Sequence, residues 1–181
     1  SWWSCCLTGR AIIGIAVAAT LVLDWSLMVS RVVPHARQFP RDLEECYVGI
    51  GDWLDENSAG DAVVAALDIG ALGYHSERRV LDLMGLVSPE ILALGRRIGF
   101  QEMVASGEWL RVGSGAHVPE YFVDRSERPV RWEGRVVHGV RFVLLESCTL
   151  NGVGLREAQT WTVSLYRLES TDSRVNPSAG G

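Results

Sequence analysis

At 181 residues the chain is long enough for one domain with a real hydrophobic core and one extra element. Its net charge is −5, and all 17 of its basic residues are arginine. An acidic balance argues against a nucleic-acid binder, which needs a basic face for phosphates. The chain begins with Ser1 rather than Met, as expected of a fragment or a processed chain.

The first element is apolar. Between Arg10 and Arg31 the chain reads AIIGIAVAATLVLDWSLMVS, twenty residues in which Asp24 is the only charge. At a rise of about 1.5 Å per residue such a helix spans about 30 Å, the hydrocarbon thickness of a bilayer. Trp2, Trp3 and Trp25 suit interfacial positions. The expectation is a membrane segment over residues 1–33, with a transmembrane helix at about 11–30 and membrane lipid as its partner. A buried core helix is the alternative. A cleaved signal peptide fits less well, because Asp24-Trp25 makes no small-residue cleavage site. Asp24 is costly in lipid and is expected near the headgroups. Arg31, Arg37 and Arg41 outnumber Arg10 across the span, so the local positive-inside rule points the C-terminal part to the cytoplasm.

Pro34 and Pro40 bracket an expected linker over 34–41, and an α/β domain is expected over 42–169. Leu43, Cys46, Tyr47, Ile50, Trp53 and Leu54 recur at helical spacing. AVVAALDIG is a continuous apolar run, the mark of a strand covered on both faces. ALGYHS reads as a turn or a short helical turn, and RRVLDLMGL as a second strand. Ser88-Pro89-Glu90 opens a helix, with Ser88 as the cap, Pro89 in the first position and Glu90 at the positive end. FQEMVASGEWLRVGSG reads as a further helical piece and a loop. EYFVDR is a third strand, Val136 to Phe142 alternates as a strand or hairpin, and TWTVSLYRLE is the last strand. Residues 170–181 are polar and expected to be disordered. This order predicts an α/β sandwich with a mixed, partly parallel sheet behind the membrane segment.

In such sheets ligands favour the carboxyl ends of the strands, where Asp68 and Asp82 are expected. Two carboxylates could serve acid–base chemistry or a metal. The reading favoured over these is that each caps a turn or a neighbouring helix through its backbone N–H groups. Tyr74, His75 and Arg78 could bind a sugar or phosphate, or could form a solvated connection. Gly70 and Gly73 leave room for a phosphate but lack the full GxGxxG pattern and the Walker lysine. His117 and His138 read as structural. No HExxH, GxSxG or EF-hand loop is present, and no catalytic residue, metal or cofactor is expected. Cys5, Cys6, Cys46 and Cys148 form no CxxC. Cys46 and Cys148 either pair in an oxidising compartment or stay buried as thiols.

Five pieces together carry a resemblance: Trp53-Leu54; Asp68-Ile69-Gly70; Tyr74-His75-Ser76-Glu77-Arg78; Val80-Leu81-Asp82-Leu83-Met84-Gly85-Leu86; and Pro119-Glu120-Tyr121-Phe122-Val123. Behind a hydrophobic span, this series resembles the C-terminal part of bacterial GT-C superfamily membrane glycosyltransferases. These are the mannosyl- and arabinosyltransferase-like proteins that use polyprenyl-phosphate sugars. The match covers about Arg41 to Arg125, and WTVSLYRL fits the usual closing strand. The resemblance implies a last transmembrane helix leading to an extracytoplasmic accessory domain at the cell membrane, against the local arginine count. It also implies that catalysis uses an acidic residue in an early loop outside this chain, so the chain is not expected to transfer sugar by itself. The partners implied are a polyprenyl-phosphate sugar and a glycan acceptor, reached through that upstream region. Asp68, Tyr74, Arg78 and Asp82 are the candidate substrate-binding positions. The alternative is a single-span anchored binding or scaffolding module without catalysis.

Overall fold

A computed structural model describes residues 2–112, 118–150 and 160–171, without the side chains of residues 2–11, 35 and 39. The expected disordered tail falls almost wholly outside these residues, and His117 lies outside them.

The chain opens with α1 (Trp2–Leu27), a π-helical turn (Met28–Val32), α2 (Val33–Leu43), a second π turn (Glu44–Val48) and α3 (Gly49–Asn57). From Ile12 to Asn57 these form one continuous helix, the one helix among the described residues long and apolar enough to cross a membrane. The described residues leave its apolar part uncovered: Ile15 is 70 % exposed, Val22 67 % and Trp25 72 %. A core helix would bury such side chains, so this stretch needs lipid or another apolar partner. Within it, Thr20 and Ser30 donate their hydroxyls to the carbonyls of Ala16 and Ser26, which satisfies those polar groups inside the helix itself.

The segment expected as a linker is α2. Pro34 sits in its first turn, where a missing N–H costs least. Just ahead of it the ladder widens, and the Val33 N–H reaches back to the Met28 carbonyl. The prolines therefore mark shifts of helical register rather than breaks.

After α3 come β1 (Val63–Ala66), α4 (Gly70–Ser76), β2 (Arg79–Asp82), α5 (Pro89–Ile98), α6 (Phe100–Ser106) and a 3-10 turn (Glu108–Arg111). Then follow β3 (Tyr121–Ser126), β4 (Val136–Val137), β5 (Val140–Leu150) and β6 (Trp161–Ser170). The six strands form one sheet in the order β2-β1-β3-β6-β5-β4. β1 pairs in parallel with β2 and β3, and the remaining pairings are antiparallel. The chain is thus α/β with a mixed, partly parallel sheet, behind a helix that could span a membrane.

Both faces of the sheet are covered, which is why β1 is apolar at every position. Val63 and Ala65 join Ile91 and Leu94 of α5, Met103 of α6 and Trp109. Val64 and Ala66 join Tyr47, Ile50 and Leu54 of the long helix and Leu72 of α4. The first face is rich in rings: Phe122 lies 4.9 Å from Trp109 and 5.7 Å from Trp132, and Trp132 stacks on Phe142 at 4.8 Å. Such pairs contribute about 1 kcal/mol each beyond their burial. The second face is tied covalently, because a disulfide joins Cys46 of the helix to Cys148 of β5.

Ser88 precedes α5 as expected, but its side chain does not cap the helix. Its hydroxyl instead accepts the Asp82 N–H at 3.0 Å, a bond that fastens the helix start to the end of β2.

Candidate functional site

The order of the parallel strands creates a crevice. From β1 the chain crosses by α4 over one face to β2. From β2 it returns by α5 and α6 over the other face to β3, on the opposite side of β1. The carboxyl ends of β1 and β3 therefore flank a topological switch point, where open α/β sheets place ligands.

Three side chains meet there. The Tyr47 hydroxyl donates to Asp68 Oδ2 at 2.7 Å, and Arg125 Nε of β3 lies 3.1 Å from the same oxygen. Burial pushes the Tyr47 phenol up, and the adjacent Asp68 charge pushes it further. Tyr47 therefore stays protonated and acts as a fixed donor. Because Tyr47 reaches this edge while α3 leads away to the start of β1, the long helix enters the domain at the carboxyl edge. That edge is the one nearest the apolar segment.

Arg125 also opens onto a cavity of about 560 Å³ whose lining includes Arg128, Arg131, Arg135, Trp132 and Trp161. Its arginines lie against rings: Arg125 over Trp161 at 5.2 Å, Arg131 over Trp132 at 5.5 Å and Arg135 over Trp132 at 4.5 Å. Arg131 forms a bidentate pair with Asp124, both bonds 2.8 Å long. Asp124 is buried, and burial holds its carboxyl above the usual range despite the opposing pull of Arg131. The connecting loop carries Val130 at φ +44°, a left-handed backbone that β-branched residues seldom adopt.

The four expected ligand-binding positions do not converge. Asp82 is fully buried, and its carboxylate accepts the backbone N–H groups of Met84, Leu86 and Val87. Gly85 completes that turn at φ +76°, where a Cβ would meet Leu92 Cα at 2.9 Å. The run LDLMGL is thus a turn folded around its own aspartate, the structural reading rather than the catalytic one. Asp68 turns away from Asp82 to Tyr47 and Arg125, and among the described residues no three metal-type side chains converge.

Arg78 and Tyr74 lie toward the opposite, amino edge, because α4 runs back along the sheet. The Arg78 side chain is 8 % exposed. It donates to Asp55 Oδ1 and Ser58 Oγ, and to the carbonyls of Asp55, Ser58 and Ser76. It thereby closes the carbonyl end of α3. Tyr74 is 81 % exposed, its ring edge-on to His75, which bonds Asp52 at 3.1 Å. Gly70 and Gly73 lie inside α4 rather than in a phosphate loop. His138 pairs with Glu108 at 3.4 Å, as a structural histidine does.

The arginine cavity is what reading the chain from its residues missed. A signal existed: DRSERPVRWEGR carries Arg125, Arg128, Arg131 and Arg135 at spacings of three, three and four.

A family model described as a domain of unknown function (DUF8728) matches residues 36–173. No curated protein and no solved structure matches the chain.

Proposed function

The chain belongs to the DUF8728 family, and from that premise we propose that it is the extracytoplasmic, membrane-anchored accessory domain of a glycosyltransferase using a lipid-linked sugar. The observation that carries the anchored reading is the apolar helix running without interruption into the second core, where Cys46 joins Cys148. Disulfides persist in oxidising compartments, which supports an extracytoplasmic domain at the cell membrane over the placement read from Arg31, Arg37 and Arg41. The glycosyltransferase part rests on the motif series from Trp53 to Val123. Its partners would be a polyprenyl-phosphate sugar and a glycan acceptor, with the reaction carried out by an acidic loop outside these residues.

A second reading, an anchored binding or scaffolding module without catalysis, draws on a different observation. Asp82 and Arg78 are saturated by the chain's own backbone, which is how structural residues behave.

Two experiments separate these claims. Protease added to intact spheroplasts is expected to reach the domain, and thiol alkylation is expected to find Cys46 and Cys148 blocked until reduction. Protection from protease with free thiols would place the domain in the cytoplasm and end the extracytoplasmic reading. Deleting residues 42–169 in the source cell is expected to reduce sugar transfer from the lipid-linked donor to envelope glycan. Unchanged transfer would leave the anchored module standing.

A further inference from the structure

We propose that the cavity at the carboxyl end of β3 binds a phosphate-bearing ligand through Arg128 and Arg135. Four arginines line it, and Glu127 is the one carboxylate among the described residues of its lining. Two of the four are already neutralised, Arg125 by Asp68 and Arg131 by Asp124. Arg128 and Arg135 form no ion pair among the described residues.

The rings set the geometry. A guanidinium lying on an indole spends its face on the ring and keeps its rim of N–H donors for a partner in its own plane. Arg135, 4.5 Å from the Trp132 centroid, is held this way before any ligand arrives. Trp132 is itself fixed, since it is fully buried and stacked on Phe142 at 4.8 Å. The planar fork of arginine matches the oxygens of a phosphate and gives short, charge-assisted bonds. The volume of about 560 Å³ admits a phosphate together with a sugar or glycerol unit. Between Arg128 and Arg131 the chain holds Val130 at φ +44°. Strain of that kind persists where surrounding structure demands it, often at ligand-clamping loops.

The chemistry also selects against a cavity of about 280 Å³ beside the disulfide, whose lining includes Glu45, Asp52, Glu56 and Glu146. A phosphate would be repelled there.

The phosphate can come from two sources. A lipid headgroup is one, because this edge faces the apolar helix. From Arg31 to Tyr47 is about 24 Å along the helix at 1.5 Å per residue, so a headgroup reaches the cavity if the helix tilts or the phosphate is carried outward. A soluble sugar phosphate is the other. Only the choice of source rests on the anchored reading; the site itself does not.

The test titrates pyrophosphate calorimetrically into the full chain in nanodiscs of phosphatidylcholine, and repeats it in discs containing phosphatidic acid. Saturable binding is expected, about tenfold weaker in Arg128→Gln, the loss of one charge-assisted contact. It should be unchanged in Arg96→Gln, on the exposed side of α5. Among the described residues Arg128 holds no ring and no carboxylate, so its variant is expected to keep the fold. Weaker apparent binding in discs with phosphatidic acid assigns the site to lipid headgroups; equal binding assigns it to soluble phosphates. An absence of saturable binding, or equal affinity in Arg128→Gln, overturns the proposal. Neither result depends on whether the chain serves a glycosyltransferase, which the deletion experiment decides separately.

Discussion

At the amino edge of the sheet the Arg78 guanidinium is used up by its neighbours, whereas at the carboxyl edge Arg128 and Arg135 form no ion pair among the described residues. Arg78 ends a helix: its donors go to Asp55, Ser58 and Ser76. Three of the four carboxyl-edge arginines lie on indoles, and two of the four pair with aspartates. One residue type thus builds a lock at one end and a cavity at the other. What separates the two is the number of backbone carbonyls within reach.

The comparison can be broken first at its covalent tie. Reducing the Cys46–Cys148 disulfide, which closes a separation of 102 residues, is expected to cost about 4 kcal/mol. Urea unfolding of the chain in micelles, with and without reductant, measures this. Unchanged midpoints would show that the noncovalent packing of the helix on β5 suffices.

Next in size is Arg78→Ala. It strands the carbonyls of Asp55 and Ser58 at the end of α3, and a loss of about 3 kcal/mol is expected. Arg78→Lys should restore little of it, because one ammonium cannot serve both carbonyls and Asp55. A full rescue by lysine would reduce the lock to simple charge.

The third effect is a dependence on pH. The carboxyl of Asp124 is raised in the folded chain, so its contribution to stability is fully present below the ordinary value of 3.8 and is lost as pH rises through the raised one. The stability of the native chain relative to Asp124→Asn should therefore improve as the medium is acidified through that window. Urea midpoints at a series of pH values test it. A difference moving the other way would mean that Arg131 outweighs burial.

The smallest effect is the most telling for the contrast. Arg128→Gln should change stability by less than about 0.5 kcal/mol, as at a surface position outside any network. A larger loss would make the carboxyl-edge arginine a second lock, and the difference between the edges would shrink.

Much of this was legible in the residues. The unbroken apolar run of β1 announced a strand buried on both faces, and the candidate aspartates fell at carboxyl ends. Asp82 behaved as turn chemistry allows, because the bonds of its carboxylate run only two to five residues ahead. Longer reaches were hidden. Arg78 meets partners 20 and 23 residues away, and nothing in YHSERR reveals that α4 lies along α3. Gly51 hints at it only afterwards: a Cβ there would stand 2.7 Å from His75 Cβ. The arginine cavity needed the sheet itself, since the pairing of Ser126 with Thr162 brings Trp161 beside Arg125. Pro34 and Pro40 misled in the other direction. Both suggested a break, and the helix absorbed them by changing register.

The cross-link between Cys46 and Cys148 also bears on what happens when the protein is cut. Both ends of that bond lie beyond the apolar part of the long helix, and they enclose most of the domain. A single nick anywhere between them leaves both pieces covalently fastened to the long helix. After such a nick, the downstream piece leaves the helix only when the bond is reduced or the chain is also cut ahead of Cys46. One clip changes the apparent size of the chain only on a reducing gel.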